Sequence, residues 1–202
     1  GGLGGLGLRA AGLLADSGAT GVVLNSRSGR VGVDTEQHES CLWSIWCVAA
    51  ACDSGELDEV CAFSSIGLAR GVLHAAGMGD KGLLFELEAA RIRSNSTPKA
   101  LGAWCIHGAM VTTPQEVHIL FSSVGSGLAN VGQANYALSN ACLDAHAPSC
   151  RSRGMAACSL QWPLVGGAGM GAAASAAMAE RSVVITGMAG VSLEEYAVCL
   201  GA

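Results

Sequence analysis

Short apolar runs alternate with helix-period stretches along nearly the whole of this 202-residue chain. Strand-like runs fall at 21–24, 47–52, 71–74, 117–121 and 156–161. Helical spacing recurs at 8–17, 55–63, 83–94, 98–110, 135–147 and 194–200. Strands joined in this way by helices lie parallel, with helices covering both faces. The alternation therefore predicts an α/β fold with a doubly wound parallel sheet. The length suits one domain, 1–202, and the chain has no internal repeat or low-complexity linker. Ligands of such sheets bind beyond the carboxyl ends of the strands. The notable residues fall there: the glycine turn at 1–7, Ser26, Arg27, Asp53, Ala75, Ala76, Gly77 and Ser123.

Composition narrows the partners. A net charge of -5 gives no basic footprint for nucleic acid. The small-residue stretch at 166–179 is too weakly apolar for a membrane span, so it reads as a loop and a small-residue helix. No signal peptide or anchor is visible. Nine cysteines without regular spacing read as reduced thiols of an intracellular protein, in cytoplasm or plastid. His38, Cys41, Cys47 and Cys52 cluster in sequence, but their spacing fits no zinc template, so no metal is expected.

The segment GGLGGLG opens a helix, as a pyrophosphate-binding turn does. Gly2, Gly4, Gly5, Leu6 and Gly7 would bring backbone N–H groups to the phosphates. Ser26 and Arg27 stand at the end of the second strand-like region of such a fold, where an acid ordinarily holds the ribose of NAD. A guanidinium there suits a 2′-phosphate, so NADPH is the expected cofactor. Asp53 ends the next strand and could accept from the adenine amino group, or serve as a helix N-terminal acid.

Ser123, Tyr136 and Asn140 form a second constellation. Tyr136 and Asn140 are four residues apart on an expected helix and share a face. A serine hydroxyl and a tyrosine phenol can both bond one carbonyl oxygen. The phenol, with an ordinary pKa of about 10, can deliver a proton when a cation lies near. Lys81 and Lys99 are the two lysines of the chain. Lys99 opens the helix that precedes the strand of Ser123, so one cleft can receive both. Taken singly, Lys99 reads as a surface lysine, Tyr136 as a packing residue and Asn140 as a backbone cap.

Together these segments resemble the ketoreductase domains of polyketide synthases and animal-type fatty acid synthases, in the short-chain dehydrogenase/reductase superfamily with its Rossmann-type sheet. GGLGGLGL and LNSRSGR are similar to the cofactor-binding start, and GVLHAAGM at 71–78 to the fourth-strand segment. PKALGAWCIH at 98–107 resembles the lysine helix, and LFSSVGSGLANVGQANYALSNACLDA at 120–145 the catalytic core. SLQWPLVGGAGMG at 159–171 resembles the loop beside the nicotinamide. In that family the lysine precedes the serine, and asparagine stands four residues after the tyrosine. Lys99, Ser123, Tyr136 and Asn140 keep that order at spacings of 24, 13 and 4. The resemblance implies that Tyr136 is the general acid and Ser123, rather than Ser122, orients the carbonyl. Lys99 would hold the ribose and assist the phenol, and Asn140 would support a proton relay. Ala75, Ala76 and Gly77 would line the cofactor. The substrate would be a β-ketoacyl chain on the phosphopantetheine of an acyl carrier domain, with other synthase domains as neighbours.

The chain departs from the family pattern in three places. The family has an apolar strand ending in Thr before the glycine turn. That first strand is missing from this chain, which reads as a fragment of a larger megasynthase with a carrier domain downstream. The stretch between Arg30 and Cys52 is short. The Leu-Asp-Asp marker of one stereochemical class is replaced by Gly79, Asp80 and Lys81, and the Trp of the other class by Leu128, so the hydroxyl configuration stays open. Two rival readings remain: a catalytically silent ketoreductase-like domain, and a stand-alone short-chain carbonyl reductase.

Overall fold

The computed structural model describes residues 1–31, 45–65, 69–80, 82–111, 113, 115–128, 131–172 and 190–202. His38, Cys41, Lys81, positions 32–39 of the loop expected over 29–39, and most of the small-residue helix expected after 166 lie outside the described residues. The chain forms two compact units. One comprises Gly1–Ala51 with Pro163–Ala202, and the other is Cys52–Trp162.

In the first unit the glycine turn runs into α1 (Gly5–Asp16), three residues earlier than apolar periodicity indicates. The periodicity begins at Leu8, but glycines accept helical backbone angles without contributing to an apolar stripe. Gly18, at φ 92, ends the helix in the left-handed region, and the Ala19 N–H caps the Leu14 carbonyl at 2.9 Å. The chain then enters β1 (Gly21–Ser26), which pairs in parallel with β2 (Trp46–Ala51) from Gly21↔Trp46 to Ser26↔Ala51. Leu3, Leu8, Ala11 and Leu24 form the core between α1 and β1.

The second unit carries α2 (Leu57–Ser64), β3 (Gly71–His74), α3 (Ala89–Ser96), α4 (Gly102–Met110), β4 (Val117–Ser123), α5 (Gly125–Leu128), α6 (Ala134–Arg151) and β5 (Ala157–Trp162). The strand order is β3-β4-β5, parallel throughout, with His74↔Leu120 and Ser123↔Trp162 closing the two ladders. The first unit ends in α7 (Leu193–Gly201), capped by a Ser192–Glu195 capping box.

Two differences from the sequence reading are informative. The helices expected at 83–94 and 98–110 form one helical run from Ala89 to Met110, joined by a π turn over Thr97–Leu101. Pro98 lacks the N–H that an uninterrupted α-helix needs, and the wider turn absorbs that defect instead of breaking the helix. The loop after β4 contains the short helix α5, which the four residues Gly-Ser-Gly-Leu did not announce.

Ala103, Leu120, Leu143 and Ala147 make the cluster that joins α4, β4 and α6. Leu143 is 0% exposed. Leu143→Ala should lower the unfolding free energy by about 2–5 kcal/mol, seen as an earlier denaturant midpoint with an unchanged slope.

Candidate active site

The π turn sets the position of Lys99, which is 4% exposed. Its Nζ donates to the Phe121 carbonyl at 2.7 Å. His74, at the end of β3, donates from Nε2 to the Lys99 carbonyl, 3.2 Å away. Burial pushes His74 down to about 3, which leaves it neutral and suited to that single bond. The ammonium lies 5.9 Å from the centroid of the Tyr136 ring, within cation–π range. Burial lowers Lys99 to about 8, and the charge of Asp144 pulls the other way.

Ser123 ends β4. Its Oγ accepts from the Gly125 N–H at 3.1 Å, so the hydroxyl proton is left to donate elsewhere. Gly125 lies between this hydroxyl and Tyr136. A Cβ there would stand 3.4 Å from Ser123 Oγ and 3.8 Å from Tyr136 Cε1. The half-buried Tyr136 and the fully buried Asn140 sit one turn apart on α6. Asn140 donates from Nδ2 to the Tyr136 carbonyl at 2.8 Å, and its buried Oδ1 has no donor among the described residues. Lys99, Ser123, Tyr136 and Asn140 are thus brought together in one unit.

Several supporting groups were not visible in the sequence. Ser122 Oγ donates to the Asn140 carbonyl at 3.3 Å and so ties β4 to α6. Asp144 accepts from Ser126, Ser159 and Gln161 at 2.6, 2.7 and 2.8 Å. Burial opposes its ionisation, but these hydrogen bonds prevail and hold the carboxyl below its ordinary value. Asp80 binds Arg91 Nη2 at 2.6 Å and Asn135 Nδ2 at 2.8 Å, which joins the loop after β3 to α3 and α6. The single sequence signal for these contacts is that Asn135, Ser139 and Asn140 are polar at helix positions with no solvent face.

The first unit holds the glycine turn. The Leu3 N–H reaches the Asn25 carbonyl at 3.4 Å, so the turn leans on the end of β1 beside Ser26 and Arg27. A Cβ on Gly7 would lie 2.5 Å from the Gly1 carbonyl oxygen, and one on Gly2 3.0 Å from the Asn25 nitrogen. Any larger residue would force this cradle open. The first helical bond of α1 is Leu8 N–H to Gly4 O at 2.9 Å. The N–H groups of Gly5, Leu6 and Gly7 precede it, and the first turn carries no acid and no side-chain cap. These donors fit a pyrophosphate. The Arg27 side chain is exposed, and Ser26 Oγ lies 3.5 Å from Ser28 Oγ. In the second unit, Asp53 Oδ1 accepts from the Gly55 N–H at 2.9 Å ahead of α2, while Ala75, Ala76 and Gly77 form the half-buried exit of β3.

The family model for the KR domain matches residues 1–167. This chain belongs to the KR domain family. Among curated relatives, a mycocerosic acid synthase-like polyketide synthase of Mycolicibacterium smegmatis is 34% identical over 184 residues, 86% of this chain and 9% of its own length. The spectinabilin polyketide synthase system protein NorB of Streptomyces orinoci is 38% identical over 152 residues, 73% of this chain and 7% of its own length. The KR chain therefore spans under a tenth of either relative. Among solved structures, an A1-type ketoreductase superposes with a TM-score of 0.89 at 28% identity, covering 99% of this chain and 43% of that one. The first ketoreductase of the tylosin polyketide synthase gives 0.83 at 29% identity, over 99% and 44%. A short chain dehydrogenase/reductase family protein, 17% identical with a TM-score of 0.80 over 98% of this chain and 84% of that one, shares the fold. KR domains of polyketide synthases are oxidoreductases, and their fold implies a nicotinamide cofactor. No helix among the described residues is long and apolar enough to cross a membrane.

The lowered Lys99 value has a measurable consequence for the KR domain. The ordinary lysine value is 10.5 and the folded value about 8. Between those values the unfolded chain binds more protons than the folded one, so stability should rise with pH across that window. With isotope-labelled lysine, one of the chain's two side-chain signals should titrate near 8 and vanish in Lys99→Met. A titration at the ordinary value for both signals would show that Lys99 is not buried as described.

Proposed function

We propose that this domain reduces the β-keto group of an acyl thioester, carried on the phosphopantetheine of an acyl carrier domain, to the β-hydroxy group. The observation that carries this reading is the convergence of Lys99, Ser123 and Tyr136, with the ammonium 5.9 Å from the phenol ring. NADPH, when held by the glycine turn and Arg27, would supply the hydride that the keto carbon takes up. Ser123, whose Oγ already accepts from Gly125, gives its proton to a hydrogen bond with the keto oxygen and holds that oxygen in place. The Tyr136 hydroxyl donates its proton to the same oxygen as negative charge develops there. Lys99, held by Phe121 and buried, favours the phenolate that remains. Asn140 offers a buried acceptor one helical turn behind Tyr136, where a relay returning a proton to the phenol can begin.

For the cofactor, the three leading N–H groups of α1 take the pyrophosphate and the exposed Arg27 takes the 2′-phosphate. Ser26 stands beside it on the same strand end, and the sequence resemblance supports cofactor-lining roles for Asp53, Ala75, Ala76 and Gly77. The whole of 1–202 acts as a single reductase domain among neighbouring synthase domains, in the cytoplasm.

The decisive test is NADPH oxidation by the purified protein with a β-keto surrogate such as a decalone. Tyr136→Phe should lower kcat by about 10²- to 10⁴-fold and leave NADPH affinity unchanged. An undiminished rate in that variant, or NADPH binding without turnover in the unaltered protein, would refute the assignment. Arg27→Ala should weaken NADPH by about 10- to 100-fold, the value of a lost charge-assisted bond, and leave NADH binding as it was. Equal losses for both cofactors would remove Arg27 from the phosphate site.

A further inference from the structure

A cluster of potential metal ligands lies within the second unit, built from residues that the reductase chemistry does not use. His146 and Cys150 are four residues apart on α6 and share a face. His107 comes from α4. One ligand atom from each of the three lies within 4.8 Å of the others. Cys150 Sγ is 3.5 Å from His107 Nδ1. A tetrahedral zinc ion, with bonds of about 2.0 Å to nitrogen and 2.3 Å to sulfur, places two such ligand atoms about 3.6 Å apart.

A second observation is independent of that spacing. His146 is 5% exposed, and neither of its ring nitrogens has a partner among the described residues. Buried polar atoms ordinarily have one, and leaving both nitrogens of an imidazole bare costs free energy that an ion would recover. His118 on β4 is also buried, and neither of its ring nitrogens has a partner among the described residues. Trp104, 52% exposed, packs against both imidazoles of the cluster at 4.8 and 6.3 Å between ring centroids. The cluster therefore lies one side chain beneath the surface.

We propose that His107, His146 and Cys150 form a binding site for a thiophilic divalent transition-metal ion, zinc above all, with a fourth position open to water. Two imidazoles and one thiolate are a ligand set that zinc accepts. Both imidazoles are needed in the neutral form. Burial, with His107 and Arg153 nearby, lowers the basicity of His146, which keeps it neutral. The thiol must lose its proton, so binding converts Cys150–SH and Zn²⁺ into a zinc thiolate and one proton released to solvent. Burial raises the Cys150 thiol while Arg153 and Arg151 favour its ionisation. Arg153 lies 3.4 Å from His107 Nε2. With Nδ1 on the metal, Nε2 carries the proton, and that long contact is given up. The ion would join α4 to α6 and thereby stiffen the two helices that carry Lys99's turn and Tyr136.

The test uses the whole chain stripped of metal by chelation. Zinc titrated against a chromophoric chelator should bind one ion per chain with Kd below about 1 μM. Cobalt(II) should give a near-ultraviolet thiolate charge-transfer band. Cys150→Ser should abolish the band and weaken zinc by more than about 100-fold, beyond the loss expected for a merely outer partner. Cys47→Ser, at an exposed thiol of β2, should change neither. Should the Cys150 variant not fold, zinc protection of Cys150 from alkylation, mapped by mass spectrometry in the unaltered chain, decides the same point. Absence of the cobalt band, zinc binding undiminished in folded Cys150→Ser, or Cys150 alkylated equally with and without zinc would each overturn the site.

Discussion

An ammonium group buried under a helix and bonded to a strand carbonyl is the constraint on which the second unit turns. Lys99 is almost wholly inaccessible, and its Nζ reaches the Phe121 carbonyl at 2.7 Å. An unpaired charge in that position would cost several kcal/mol, so the helix that carries it cannot slide along the sheet without losing its partner. The acceptor lies two residues before Ser123 on the same strand. The bond that stabilises the cation therefore also fixes the distance between the cation and the hydroxyl. Tyr136 completes the arrangement from α6, which packs on β4 through Leu120 and Leu143 in the same cluster as Ala103 of α4.

The polar groups around this cation divide the work. His74 holds the carbonyl of Lys99, and Phe121 holds its side chain, so backbone and ammonium are anchored separately. Ser122, next to Ser123, bonds the Asn140 carbonyl and so stitches the strand to the helix. Asp144 sits in a mesh of three donors, and its charge favours the protonated form of Lys99, partly offsetting the larger effect of burial. The π turn around Pro98 serves the same end. A straight α-helix would rotate the residues before and after it by a different angle, and Lys99 stands inside the irregular turn.

Much of this was legible in the residues. All five strands lie where apolar periodicity and turn residues put them, most helices overlap their expected stretches, and the parallel pairing follows from their alternation. Lys99, Ser123, Tyr136 and Asn140 were singled out by type and order, with Ser123 preferred over Ser122 by spacing, and the fold brings the four into one unit. The sequence was less informative where several small residues occur together. Glycines hid the true start of α1, and α5 left no periodic trace. Pro98 read as a boundary because a proline interrupts hydrogen bonding locally, while the continuation of the helix depends on packing from outside the segment. The His107, His146 and Cys150 cluster follows no spacing template, since two of its members share a helix and the third lies far away in sequence.

By itself the order of residues determined the fold class, the glycine-led helix start and the chemical identity of the groups that meet at β4. Those are local properties, set by side-chain type and by backbone freedom within a few neighbours. Tertiary structure alone decided which groups are buried, which carbonyl receives the Lys99 ammonium, and which imidazoles lose their solvent. Burial and long-range pairing are properties of packed surfaces, and residues distant in the chain supply opposite halves of each contact.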